Sequence, residues 1–236
     1  LEAAVFVDAS GDADVAFFAG ADCPVAANAL ASWTLEYSKQ ESGAVLAPGI
    51  RASIVGGSTD PDFTEPGVSG RMVSDFVMAG RERYRRQLAE AYASGAADRF
   101  GRFPLKLPAM PDLRHTRRID GAFTLQPGME WRAFEDSVGV CADWRCCGKV
   151  WELPYRSLLP KTLSNVLAAG RCISSEGDAW EVTRVIPVAA LTGEAAGAAA
   201  ALAAERRTTA AELPYAEVQQ AMRKAGNPTR IAELYP

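Results

Sequence analysis

Residues 1–20 read LEAAVFVDASGDADVAFFAG, and this stretch decides the fold class. Val5, Phe6 and Val7 form a short apolar run rich in β-branched and aromatic residues, which predicts a buried strand over Leu1–Asp8. Ser10-Gly11 follows as a turn. Asp12–Gly20 then predicts a short helix, with acids in its first turn where the helix dipole favours negative charge. Strand, tight turn and helix in that order predict an α/β protein.

A second unit of the same kind stands near the other end. Asn165–Ser174 (NVLAAGRCIS) predicts a buried strand ending in Gly170-Arg171, and Thr183–Arg206 predicts a long helix of Ala and Gly with Pro187 near its start. Small residues allow close helix–sheet packing, and they equally allow a flat ligand to approach the first helical turn. In the first unit, Gly11 lets the backbone come near a ligand, and the helix N-terminus offers free amides to phosphate. An ordinary strand–helix turn has the same text.

Between the two units the character is mixed. Asp22–Lys39 is read as helix, and Gly43–Gly70 as loop with one strand at Arg51–Val55, punctuated by Gly56-Gly57 and Asp60-Pro61. Ser69–Ser94 is the clearest helix: Met72, Phe76, Met78, Tyr84, Leu88 and Tyr92 recur at roughly helical spacing, and Gly95 is its stop. Arg114–Ile119 and Ala122–Leu125 are expected to pair around Asp120-Gly121 as a hairpin. A last helix is predicted over about Pro214–Ala225, stopped by Gly226 and Pro228. The expected architecture is α/β with an α+β middle, its core built from both ends of the chain: residues 1–30 and 152–236 form one domain, and 31–151 an inserted lobe.

Composition narrows the function. The 236 residues are 48% hydrophobic and 23% charged, with a net charge of −4, so the chain can bury a core and presents no broad basic field for nucleic acid. Arg81–Arg86 (RERYRR), the densest basic cluster, reads as a solvated helix face. The Ala-rich run Ala195–Ala204 is too short to span a bilayer, so no membrane partner is expected. Five cysteines without a CxxC make neither a disulfide framework nor a zinc site, and a reducing cytoplasm is the expected compartment. The neighbours Cys146 and Cys147 are two ordinary thiols or a redox pair.

Five blocks carry a resemblance. VDASGDADVAFFAGA (7–21), LRHTRRIDGAFTL (113–125), WELPYRSLLPKTLSNVLAAGRCIS (151–174), RVIPVAALTGEAAGAAAALA (184–203) and LPYAEVQQAMRKAG (213–226) occur in that order. They resemble FAD-dependent oxidoreductases whose FAD domain is of the glutathione-reductase type, distantly similar to fumarate reductase flavoproteins. The resemblance implies an incomplete Rossmann-like FAD-binding domain with an inserted mixed substrate lobe, and FAD as cofactor. It places Ala9, Ser10, Gly11 and Asp12 by the adenosine or pyrophosphate. Gly170 and Arg171 fall by the ribitol and phosphates. Val185, Ile186 and Pro187 present backbone near the flavin ring, with Arg184 anchoring the preceding loop. Arg114, Arg117 and Arg118 become candidates for holding an anionic organic substrate during hydride transfer, since an arginine fork matches a carboxylate; a structural ion-pair network is the competing account.

There are departures from the family. Trp180 stands in the Ser174–Glu181 loop where a histidine is often found, which leaves His115, the one histidine, as a candidate acid/base or an ordinary strand residue. The fingerprint GxGxxG is absent; GEAAG at 193–197 lies inside a helix. In the family that fingerprint lies upstream, so the chain is expected to be a C-terminal portion. Its expected partners are a small-molecule substrate and either the missing N-terminal segment or a second copy. Two further classes remain open: a flavin-free remnant acting as an interaction or scaffold domain, and a thiol-redox protein using Cys146 and Cys147.

Overall fold

A computed structural model describes residues 2–39, 44–56 and 64–235. Up to Val25 the chain forms β1 (Phe6–Asp8) and α1 (Asp14–Phe18). From Ala26 to Thr116 it forms β2 (Asn28–Ala29), β3 (Ala31–Ser38), β4 (Ala44–Ala47), β5 (Ile50–Gly56), β6 (Thr64–Glu65), α2 (Gly70–Ala93) and β7 (Arg102–Lys106). From Arg117 onward come β8 (Ser137–Ala142), β9 (Val150–Pro154), β10 (Val166–Ala168), α3 (Gly177–Thr183), α4 (Ile186–Arg206) and α5 (Tyr215–Lys224). The fold is mixed α/β. It divides into two compact units, one of Leu1–Val25 with Arg117–Pro236 and one of Ala26–Thr116. The second of these covers 26–116, where a lobe over 31–151 was expected: residues 26–30 fall in it, and residues 117–151 fall in the first unit, where β8 packs on α4 and α5 and pairs with β9.

In the first unit, β1 and β10 pair in parallel, Phe6 opposite Val166 and Asp8 opposite Ala168. α4 packs on both strands. Its Ala195, Ala196, Ala199 and Ala203 are fully buried, and their small side chains bring the helix backbone close to the sheet. By length and composition α4 could cross a membrane, which extends the apolar run read as Ala195–Ala204; here its small-residue face lies in the core beside Val218 and Met222 of α5. The helix predicted over Thr183–Arg206 is broken into α3 and α4. Pro187 has no N–H to donate to the carbonyl of Thr183, so the ladder stops there and restarts with Pro187 in the first turn of α4. The strand predicted over Asn165–Ser174 is likewise shorter, turning at Gly170 with φ +76°.

The expected hairpin at Asp120-Gly121 is not formed. This extended segment gives its backbone bonds to other parts of the unit: Ile119 N–H to Cys172, Asp120 N–H to Asp22 and Ala122 N–H to Leu159, at 2.8–2.9 Å. A hairpin would have used those donors within the segment itself.

In the second unit, β4, β5, β3 and β7 form an antiparallel sheet in that order. α2 lies on it through Phe76, Gly80, Tyr84 and Leu88, a stripe at four-residue spacing that is buried throughout. Ser69 caps α2 by accepting the Met72 N–H at 3.3 Å. The helix expected over Asp22–Lys39 is instead β2 and β3. Trp33, Leu35 and Tyr37 alternate with Ser32, Thr34, Glu36 and Ser38, a period of two, and the polar set is the buried one. The strand read at Arg51–Val55 is β5, and the rest of the stretch read as loop from Gly43 to Gly70 also holds β4 and β6; the Asp60-Pro61 turn lies outside the described residues.

Candidate functional site

In open parallel sheets, ligands gather at the carboxyl ends of the strands. The C-terminal ends of β1 and β10 are adjacent here, joined by the Ala169 N–H donating to the Asp8 carbonyl at 2.9 Å. The loop leaving β1 is shaped by the buried carboxylate of Asp8. Its Oδ1 accepts the Ser10 N–H at 3.0 Å and the Ser10 hydroxyl at 2.7 Å, an Asx turn. Its Oδ2 accepts the Ala16 N–H at 2.9 Å, satisfying an amide in the first turn of α1. Ser10 Oγ in turn accepts the Asp14 N–H at 2.9 Å. Gly11 follows in the left-handed region at φ +81°, where an alanine would be strained and would set its Cβ 3.2 Å from Arg171 Nε.

The loop leaving β10 meets it. Arg171 donates through Nε to the Gly11 carbonyl at 2.7 Å and through Nη2 to Asp12 Oδ1 at 2.5 Å. The Gly170 N–H donates to Thr192 Oγ1 at 2.9 Å, and that hydroxyl donates to the Val188 carbonyl at 2.7 Å, tying the turn to the start of α4. Thus Ser10, Gly11, Asp12, Gly170 and Arg171 come together beside the first turns of α4. Ala9 lies exposed between Asp8 and Ser10. At the head of α4, Val185 is the cap residue with no side-chain cap bond, Pro187 is exposed, and Ile186 is 85% exposed. Arg184 pairs with Glu181 at 2.9 Å and lies over the Trp144 ring.

The three arginines assigned to substrate part company. Arg117 is buried; it donates to the Asp12 carbonyl at 3.0 Å, pairs with Asp14 and covers the Phe17 ring at 4.1 Å. Arg118 is buried too, bonded to Ser174 Oγ at 3.2 Å and Glu176 at 2.8 Å. Both bind protein groups around the loops just described. Arg114 belongs to the second unit and pairs with Asp112 at 2.6 Å. Its backbone N–H and that of His115 both donate to Asn28 Oδ1, at 2.7 and 2.8 Å.

Trp180 donates its indole N–H to the Arg171 carbonyl at 2.6 Å, so at the position where a histidine was looked for, the side chain braces the Gly170 turn. Cys172 Sγ lies between the Asp8 and Ala169 carbonyls, and burial pushes its thiol up to about 12. Burial also raises Cys23, with Arg117 opposing. Among the described residues no group of three or more side chains could hold a metal ion.

Sequence reading missed Asp8 and Asp14 as organisers of the site. The signal for Asp8 was available: an aspartate ending an apolar strand two residues before Ser10 is the pattern of an Asx turn.

A family model described as FAD dependent oxidoreductase matches residues 49–222. The chain therefore belongs to this family of FAD-linked oxidoreductases. The match takes in β10, Gly170, Arg171 and the head of α4, while β1 and Ala9–Asp12 lie ahead of it. No curated protein and no solved structure matches the chain.

Proposed function

We propose that the first unit is the C-terminal part of an FAD site of the glutathione-reductase, fumarate-reductase-flavoprotein-like type, built on a Rossmann-like sheet. The observation that carries this is the junction of β1 and β10: two loops, each with a glycine at positive φ, meet beside the open head of a 21-residue helix. This geometry fits a dinucleotide. Ala9–Asp12 and Gly170–Arg171 would hold its phosphate and ribityl portion through backbone, and Val185, Ile186 and Pro187 would lie against the flavin ring. The dipole at the head of α4 favours negative charge on that ring, and the exposed Ile186 gives it an apolar surface. Bound there, FAD supplies two-electron hydride chemistry towards an organic substrate.

Arg117 and Arg118 enter this reading as positioning residues. Arg117 clamps Asp12 and Asp14, and Arg118 holds Ser174 and Glu176; neither fork is open to a carboxylate. Arg114, paired with Asp112 in the second unit and partly exposed, is the one of the three that we propose as open to an anionic small molecule. Acid/base work by Trp180 has no chemical basis, since indole donates only. A cytoplasmic location belongs to the same proposal.

The test is the visible absorption spectrum of the chain after incubation with excess FAD and dialysis. A retained flavin band is expected if these loops hold the cofactor by themselves. A colourless chain that regains flavin when joined to an upstream GxGxxG segment would place the main grip there. The other reading, a flavin-free interaction domain, draws on the exposure of Phe18 and Ile186, at 81% and 85%, as surface for a second copy. A monomer that retains flavin would sink it.

A further inference from the structure

The second unit carries a site that the FAD reading does not use. β3 is amphipathic in an inverted sense: its polar residues face α2 and are buried, while Trp33 and Leu35 lie on the other face of the sheet, with Trp33 44% exposed. Register sets Ile54 opposite Trp33, and sets Ala52 and Lys106 on either side of Leu35. Directly opposed residues share a face, so this face is apolar with a single cation at its β7 edge. Thr34 fixes that edge by donating its hydroxyl to the Lys106 carbonyl at 2.6 Å. After β7 the chain bulges at Ala109 and Met110 and rejoins the edge of β3, where Pro111 bridges Ser32 and the Asp112 N–H donates to the Ala31 carbonyl at 2.8 Å; Ala109 and Met110 form a further wall. The result is a cavity of about 220 Å³.

We infer that this cavity binds a flat one- or two-ring organic anion, its ring against Trp33 and Leu35 and its carboxylate on Lys106. Size supports this: the cavity is smaller than the ~300–1,000 Å³ of sites for drug-sized ligands. The lining supports it too. An indole face suits a ring, and a methionine adapts to irregular apolar shapes. Lys106 is the only charged side chain among the described residues lining the cavity, with no carboxylate beside it. Neighbouring Glu36 is held on the buried side of the sheet by Arg51 and Arg102. A large polar substrate does not match such walls, and neither does a cation. Ligand binding here is inferred independently of the oxidoreductase reading.

The experiment uses the full chain without flavin and titrates it with 2-naphthoate and, as the uncharged control, 2-naphthylmethanol, read by calorimetry. Naphthoate is expected to bind roughly twofold to fivefold more tightly than the alcohol, the modest gain of one solvated ion pair. Lys106→Met, which keeps the apolar stem, is expected to erase that preference and leave the alcohol unchanged. Trp33→Ala should weaken both ligands by roughly tenfold or more while the far-ultraviolet spectrum stays that of the wild type. Equal affinity for the two ligands, or a preference that survives Lys106→Met, overturns the inference. So does sedimentation as a dimer that Trp33→Lys dissociates, because a second copy is then the occupant. Flavin retention is measured separately: a chain that holds FAD but shows no preference for naphthoate loses this inference and keeps the oxidoreductase reading.

Discussion

Each unit buries a carboxylate on a strand, and the two are satisfied by opposite means. Asp8, at the end of β1, is fully buried and accepts from the N–H groups of Ser10 and Ala16 and from the Ser10 hydroxyl. Glu36, in the middle of β3, is equally buried and is held by side chains: Arg51 at 2.8 Å, Arg102 at 3.0 Å, the Tyr84 hydroxyl at 2.8 Å and the Ser53 hydroxyl at 2.9 Å. The first arrangement shapes backbone and leaves a loop in a defined form at the mouth of a parallel sheet. The second binds three strands and α2 to one another and shapes no loop. Asp8 thus shapes the candidate site, and Glu36 ties a framework together.

The largest effect is expected at the framework. Glu36→Leu removes the carboxylate that pairs with buried Arg51 and with Arg102, and breaking such a buried pair typically costs about 3–5 kcal/mol. Urea unfolding followed by the fluorescence of Trp33 should show the second unit melting early. Flavin retention by the first unit should be unchanged. A variant that lost flavin together with stability would erase the distinction between site and framework.

Asp8→Ala comes next. It strips the buried Ala16 N–H of its acceptor, a loss of roughly 1–3 kcal/mol, and it frees Ser10 from its turn. Here flavin retention should fall by more than stability does, because the loop that faces the ligand loses its form. Asp8→Asn keeps one acceptor oxygen and should retain part of both. If stability fell and flavin binding held, the Asp8 loop would be framework as well.

Acid tests the framework carboxylate, Glu36, by its charge. Burial alone would raise Glu36, but the hydrogen bonds from Arg102, Tyr84 and Ser53 and the charge of Arg102 outweigh it, and its carboxyl is held below the ordinary 4.5. A carboxylate depressed in the folded state stabilises above its unfolded value, and that contribution disappears as pH falls through the folded one. The melting temperature of the second unit should therefore drop as the pH is lowered from neutral through 4.5 and below. The gap between wild type and Glu36→Gln should narrow over the same range. A constant gap would mean that Glu36 contributes by packing rather than by charge.

Local pattern made some of this legible. α2 and α5 were readable because their ends carry stops and their apolar residues recur on one face. β3 was misread because its buried face is the polar one, so a search for apolar residues found the exposed set and lost the period of two. The Asp120-Gly121 segment carries hairpin residues, yet its donors go to Asp22, Leu159 and Cys172, a choice made by distant chain that no local window contains. The meeting of Gly11 with Arg171 spans most of the sequence in the same way. The family resemblance assigned both to one cofactor but gave no contact between them.

The smallest effect concerns a loop that belongs to neither network. Cys146 and Cys147 are exposed, whereas Cys172 is buried and Cys141 half-buried, and desolvation pushes each of these two thiols up to about 12. Thiolate is the reactive form, so an Ellman titration of the folded protein at mildly alkaline pH should count two fast thiols, and all five after unfolding. The double substitution of Cys146 and Cys147 by serine should abolish the fast pair and leave unfolding midpoint and flavin retention unchanged. The Cys146 thiol donates to the Cys147 carbonyl at 3.9 Å, and the Cys146 backbone bonds to Asp143 and Lys149, all within the same loop. A loss of flavin or of turnover in the double variant would move the chemistry from the β1–β10 junction to this loop and restore the thiol-redox alternative.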